Sequence, residues 1–280
     1  MSIRVVTDST SDLPPELAEE YRITVLPSYV NVGDKSYLDL VELSREAFYK
    51  QLPNYEQPPT TAAPAVGAFT EAYERLAEEG ASEVLSIHVA SNLSGMLNSA
   101  RLGGLATEKV PVTLFDSRQL SMGLGLLAVV AAKAAAAGQT MEEIVAMLDK
   151  LVPRTHVFAA LDTLTYLRRS GRVSWAEFSV GTLLRIKPLL HVHEGDVRSL
   201  EKVRTYSRAV NQLIEHVTEL APLEQVALLH TSNPEGVAKL RAQARHLFPE
   251  GEEPVAVEVT PAIGSHVGPG ALGFALITAA

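Results

Sequence analysis

Residues 3–14, IRVVTDSTSDLP, decide the reading of the fold. Ile3, Val5, Val6 and Thr7 make a β-branched run long enough for one strand. Asp8-Ser9-Thr10-Ser11-Asp12 then supplies carboxylates and hydroxyls, and Asp12 reads as the N-cap of a helix that begins near Pro14. The same unit of strand, polar loop and helix recurs downstream. Residues 24–30 read as a second strand, and Ser44 caps a helix over 45–51. A proline-rich loop over 54–59 ends in Thr60-Thr61, and a helix follows over 64–79 with Gly80 as its stop. Residues 83–89 and 110–115 are strands flanking a helix over 95–108. A helix over 121–137 ends at Gly138, and Thr140 with Glu143 forms a capping box for the next. Such alternation predicts a parallel sheet with helices on both faces.

The second half is organised differently. Residues 157–161, 187–193 and 197–203 are strand candidates, and Glu194-Gly195-Asp196 reads as a tight turn joining the last two into a hairpin. Helices over 207–220 and 234–247 are each followed by a strand, at 226–230 and 255–260, and residues 273–277 form a short final strand. A hairpin among alternating elements predicts an α+β domain with a mixed sheet. The expected organisation is therefore two domains, a Rossmann-like parallel α/β domain over 1–155 and a C-terminal α+β domain over 156–280.

Composition narrows the function classes. The 280 residues are 46% hydrophobic, ample for a packed core. A net charge of −9 argues against nucleic acid or anionic membrane as a main partner. The longest apolar stretch, residues 124–137, is broken by Lys133 and rich in alanine, which makes it a buried helix and not a membrane span. No secretory leader is visible at the start, and zero cysteines exclude thiolate chemistry and fit the cytoplasm.

Three polar loops follow predicted strands: Asp8-Ser9-Thr10, Ser91-Asn92-Leu93-Ser94-Gly95 and Asp116-Ser117. The carboxyl ends of parallel strands form a ligand crevice, and a loop entering a helix there presents free N–H groups to an anion. The segment TPAIGSHVGPGALG (residues 260–273) sets His266 among four glycines and two prolines, a loop suited to holding one imidazole against a ligand. Ser94, His266 and either Asp8 or Asp116 also supply the residue types of a hydrolase triad, although residues 91–95 lack the Gly-x-Ser-x-Gly elbow. His191 and His193 share a strand face but show no third ligand, and Asp8, Asp12 and Asp116 are explained by capping, so no metal site is expected.

In this order and spacing, VTDSTSDLP, PTTAAP, SNLSGMLNSA, FDSRQLSMGLG, LTYLRRSGRV, KPLL and TPAIGSHVGPGALG together resemble the DegV family of bacterial fatty-acid-binding proteins, across essentially the whole chain. The resemblance implies a non-catalytic two-domain α/β protein that needs no cofactor and holds one long-chain fatty acid in a tunnel between its domains. It also implies presentation of that acid to a separate fatty acid kinase, whose acyl phosphate product serves lipid synthesis. The family's carboxylate-binding positions fall on Thr61, Ser94, the Gly95 amide and His266, and Arg172 falls at the pocket mouth or a partner contact. Ala62 and Ala63 stand where the family usually carries serine and glutamine, Met96 where threonine is common, and Ser170 where a glycine precedes Gly171-Arg172.

Overall fold

The computed structural model describes residues 2–173 and 186–280. Strand β1 (Ile3–Asp8) is followed by a single 3₁₀ turn over Ser9–Ser11 and then by helix α1 (Pro15–Glu20). Asp12 does not cap that helix, whose N-cap is Pro14. It ends the 3₁₀ turn in the left-handed region (φ 54°), and its buried carboxylate reaches instead to the Thr260 amide at 2.7 Å and the Ser121 hydroxyl. A buried carboxylate collects donors wherever the fold brings them, and here they come from distant segments.

The expected strand over 24–30 is two strands, β2 (Thr24–Leu26) and β3 (Tyr29–Val32), divided at Pro27-Ser28. β2 joins the parallel sheet, whereas β3 pairs antiparallel with β4 (Lys35–Leu38). After helix α2 (Arg45–Gln51), capped by Ser44, strand β5 (Thr60–Ala62) completes a three-stranded sheet in the order β4-β3-β5. Then come α3 (Val66–Glu78), β6 (Glu83–His88), α4 (Met96–Leu105) and β7 (Val112–Asp116). The parallel sheet has the order β2-β1-β6-β7.

Helix α5 (Ser121–Ala136) is apolar on every side and almost wholly buried, as its composition required. It packs against β1 of the parallel sheet and, on its other flank, against the second large sheet. Two glycines permit this. A Cβ on Gly125 would stand 2.7 Å from the Ser11 carbonyl, and one on Gly123 would stand 2.7 Å from the Val157 side chain. Helix α6 (Met141–Leu151) opens with the expected capping box, Thr140 accepting from the Glu143 amide at 3.3 Å and Glu143 from the Thr140 amide at 2.8 Å.

The remainder comprises β8 (Thr155–Ala160), α7 (Thr165–Ser170), β9 (Lys187–His193), β10 (Asp196–Val203), α8 (Tyr206–Glu219), β11 (Leu223–His230), α9 (Pro234–Gln243), β12 (Ala256–Glu258), α10 (Pro261–Val267) and β13 (Leu272–Thr278). These strands build a mixed sheet in the order β10-β9-β8-β13-β11-β12. The β9–β10 hairpin turns at Glu194-Gly195 as read, with Gly195 at φ 86°. One hydrophobic core runs from the parallel sheet through α5 to the inner face of the mixed sheet, through Val157, Val192 and Ala275. A second core lies on the outer face under α8 and α9. The chain is thus an α/β protein with a four-stranded parallel sheet and a six-stranded mixed sheet. Among the described residues, no helix is long and apolar enough to cross a membrane.

Candidate functional site

The segment carrying His266 is not the loop its glycines suggest. Pro261 opens helix α10, Ser265 donates to the Pro261 carbonyl at 2.8 Å, and Gly268 closes the helix at φ 77°. The glycines serve contact as much as turning. A Cβ on Gly264 would stand 2.5 Å from the Tyr49 hydroxyl, and one on Gly268 would stand 2.2 Å from the Tyr166 ring. Tyr49 in turn donates to the Val259 carbonyl at 2.9 Å. With Asp12 holding the Thr260 amide, α10 is tied at its start and along its flank, so His266 projects from a fixed helix.

His266 Nε2 lies 3.0 Å from Thr61 Oγ1 on β5. Burial, and after it the Arg172 guanidinium, push His266 down to about 4, so its imidazole is neutral at physiological pH. In that state one ring nitrogen donates and the other accepts.

Ser94 lies in the loop between β6 and α4, and that loop is held from several sides. Asp116 accepts from the Ser91 amide at 3.3 Å, and the Asn92 amide group donates to the Gly195 carbonyl at 2.8 Å. Ser94 Oγ accepts from the Met96 amide at 3.2 Å, which leaves its own proton free to donate. Gly95 is the N-cap of α4, where first-turn N–H groups lack helical partners. Nothing in the protein lies within 4 Å of a Cβ built on Gly95.

Thr61, Ser94, Gly95, His266 and Arg172 all line one cavity of about 190 Å³ between the parallel and mixed sheets. Its wall is mainly apolar, with Val157, Ala159, Leu190 and Val192 contributed by the inner face of the mixed sheet. Two further polar side chains line it. Thr10 was visible only as part of the first polar loop, and Ser28, between two short strands, had no motif to mark it. A smaller cavity of about 50 Å³ shares Leu120, Val157, Ala159, Ile263 and Val267 with the first. Ala62 and Ala63 line the main cavity, whereas Met96 is buried in the core and lines neither. Ser170 donates to the Leu167 carbonyl at 2.8 Å, and its carbonyl accepts from Arg172 Nη1 at 2.6 Å.

The triad alternative is not assembled. Asp8 is sealed in the core, where His88 Nδ1 approaches it at 2.8 Å and the Thr10 amide at 3.0 Å. Asp116 is committed to the Ser91 and Arg118 amides. Among the described hydrogen bonds, none joins Ser94 to His266 or either aspartate to His266. A linear chain Ser86–His88–Asp8 does exist, with contacts of 2.7 and 2.8 Å, but all three residues are fully buried away from the cavity. The expectation that His191 and His193 have no third partner also fails, because β8 brings His156 beside them.

Two sheets flanking a mostly apolar cavity with a few convergent hydroxyls and one neutral imidazole give this α/β protein the build of a ligand pocket. The chain belongs to the DegV family, described as uncharacterised proteins, whose profile matches residues 2–279. It is 38% identical over 276 residues to a DegV domain-containing protein of Listeria innocua, covering 97% of each chain. Among solved structures, a DegV family protein from Thermus thermophilus described as binding fatty acid superposes with a TM-score of 0.90 at 32% identity. DegV of Bacillus subtilis, described as a fatty acid binding protein, gives 0.89 at 30% identity, and in both cases 100% of each chain is covered.

Proposed function

We propose that this protein binds one long-chain fatty acid without chemically altering it and presents its carboxylate to a separate fatty acid kinase. The cavity itself carries the reading. Its walls are apolar, and its polar side chains among the described residues are Thr10, Ser28, Thr61, Ser94, Arg172 and His266. In this reading Thr61, Ser94, the Gly95 amide and neutral His266 hold the carboxylate, the hydrogen-bonded Thr61–His266 pair offering it one proton between them, and the tail runs along the inner face of the mixed sheet. The smaller adjoining cavity extends that path.

Magnitudes favour a tail-driven complex. A C16 acid has about 14 methylenes, and at ~0.8 kcal/mol each their burial supplies at most roughly 11 kcal/mol. Hydrogen bonds to a charged carboxylate contribute ~1.5–3 kcal/mol each, less the cost of desolvating it. Association entropy removes several kcal/mol. The tail therefore governs affinity and the head-group donors govern orientation, which is how a chain of net charge −9 accommodates an anion.

Arg172 lies beside the head group and serves as the contact for the kinase or for the acyl phosphate. The reading includes two domains divided at residue 155 and a cytoplasmic location. Native mass spectrometry of the purified protein, followed by denaturing lipid extraction, tests it. A retained mass matching a C14–C18 acid is expected; an apo mass that also refuses added palmitate and oleate overturns the reading.

A further inference from the structure

Behind the cavity wall, the outer face of the mixed sheet carries a second cluster of chemistry-bearing residues. Alternation puts Val157, Ala159, Leu190 and Val192 on the cavity side. It therefore puts His156, Phe158, His191 and His193 on the opposite side, and Phe158 is the register partner of His191. One ring nitrogen from each of His156, His191 and His193 lies within 4.8 Å of the other two. His156 Nδ1 and His191 Nε2 are 3.0 Å apart. The His156 and His193 rings stack at 4.3 Å with planes 6° apart, and Phe158 stacks on His191 at 4.2 Å.

We infer that His156, His191 and His193 form a binding site for one late first-row divalent cation, Zn2+ being the reference ion. Two imidazoles from one strand at i and i+2 and a third from the neighbouring strand bring three ring nitrogens together; the rings stand nearly parallel, so they rotate about χ2 to aim those nitrogens at one ion, with a fourth position open to water. Neutral imidazole is the ligand form.

The surroundings supply the outer support such sites need. The Nδ1–H of His193 donates to the Thr155 carbonyl at 3.2 Å, which leaves the lone pair on Nε2. Glu194 Oε2 lies 3.6 Å from that Nε2, while its Oε1 lies 3.9 Å from Arg118 Nη1. The other charged groups near this face are of both signs. Arg198, opposite His191 on β10, pairs with Asp196 at 2.8 Å, and His216 lies between Glu201 and Glu219 at 3.5 and 3.6 Å. In the unliganded cluster a proton is shared along the His156–His191 edge; the cation takes that place and the proton moves to the other nitrogen of its ring.

The test uses the full chain prepared without a histidine tag. Calorimetric titration with Zn2+ is expected to show one equivalent per chain. His156→Gln, His191→Gln and His193→Gln should each bind roughly tenfold more weakly or worse. His246→Gln, at an exposed histidine outside the cluster, should match the parent. Loss of binding counts only in variants whose metal-free melting temperature stays near the parent's. Independently of any variant, Co2+ loaded into the parent chain should give the visible absorption of low-coordinate cobalt bound through nitrogen. Absence of stoichiometric Zn2+ binding, absence of that Co2+ spectrum, or affinity unchanged in all three well-folded variants overturns the assignment.

Discussion

Thr61 Oγ1 and His266 Nε2 stand 3.0 Å apart although 205 residues separate them in sequence. One comes from a three-residue strand in the small antiparallel sheet, the other from a two-turn helix near the end of the chain. The pair exists because Asp12 ties the start of α10 to the first polar loop and because Gly264 lets α10 press against Tyr49.

Replacing either member tests the head-group assignment. Thr61→Val and His266→Ala should each weaken binding of a fluorescent fatty acid by roughly 1–3 kcal/mol, as should Ser94→Ala. Retention of parental affinity in all three would remove these residues from the carboxylate site.

Gly95 separates ligand effects from folding effects. Its Cβ would meet no protein atom, so Gly95→Ala should leave the melting temperature nearly unchanged. If the backbone must approach the carboxylate closely, the same substitution should still lower affinity. Equal affinity with equal stability would show that the Gly95 amide is not a ligand contact.

Gly264 predicts the reverse pattern. A methyl group there meets the Tyr49 hydroxyl and the Phe48 ring in a tightly packed site, so Gly264→Ala should destabilise the fold by about 1–3 kcal/mol. Tyr49→Phe in the same chain should recover part of that loss, as measured by chemical denaturation. Additive losses in the double variant would contradict the proposed contact.

His266 should titrate well below an ordinary histidine. Proton NMR of the ligand-free protein is expected to place it near 4, and Arg172→Gln should raise that value by removing the nearby positive charge. The sign for stability follows. A histidine with a folded value near 4 and an unfolded value of 6.5 binds fewer protons folded than unfolded, so its contribution to stability is lost as pH falls from 6.5 towards 4. A titration near 6.5 would refute the neutral-donor description.

Asp39 gives the opposite pH dependence. Desolvation, partly offset by Ser9, raises its carboxyl to about 7, with the Asp12 charge adding to the rise. The folded chain therefore binds more protons than the unfolded chain between 3.8 and about 7, and this group costs stability as pH rises through that window. Asp39→Asn should accordingly stabilise the protein more at about pH 8 than at about pH 5, as read by denaturant midpoints. A gain independent of pH would mean that Asp39 does not titrate in that range.

The primary structure by itself determined most of the local elements and their order. β-branched runs, the Thr140–Glu143 capping box, the Glu194-Gly195 turn and the all-apolar α5 are each set by residues within a few positions of one another. The motif series likewise marked Thr61, Ser94, Gly95, Arg172 and His266, and all five line one cavity. What escaped was whatever depends on distant partners. Strands β4 and β5 are only four and three residues long, too short for a period-two pattern to register. Asp12 looked like a cap because its partners, Thr260 and Ser121, lie in other segments. The glycines of residues 260–273 looked like loop flexibility until Tyr49, Phe48 and Tyr166 showed that α10 needs close approach. His156 joined His191 and His193 only when β8 and β9 paired in register. Local conformation follows from neighbours in the chain, whereas which side chains meet across the core depends on sheet register and helix packing, and those are decided only when the whole chain closes.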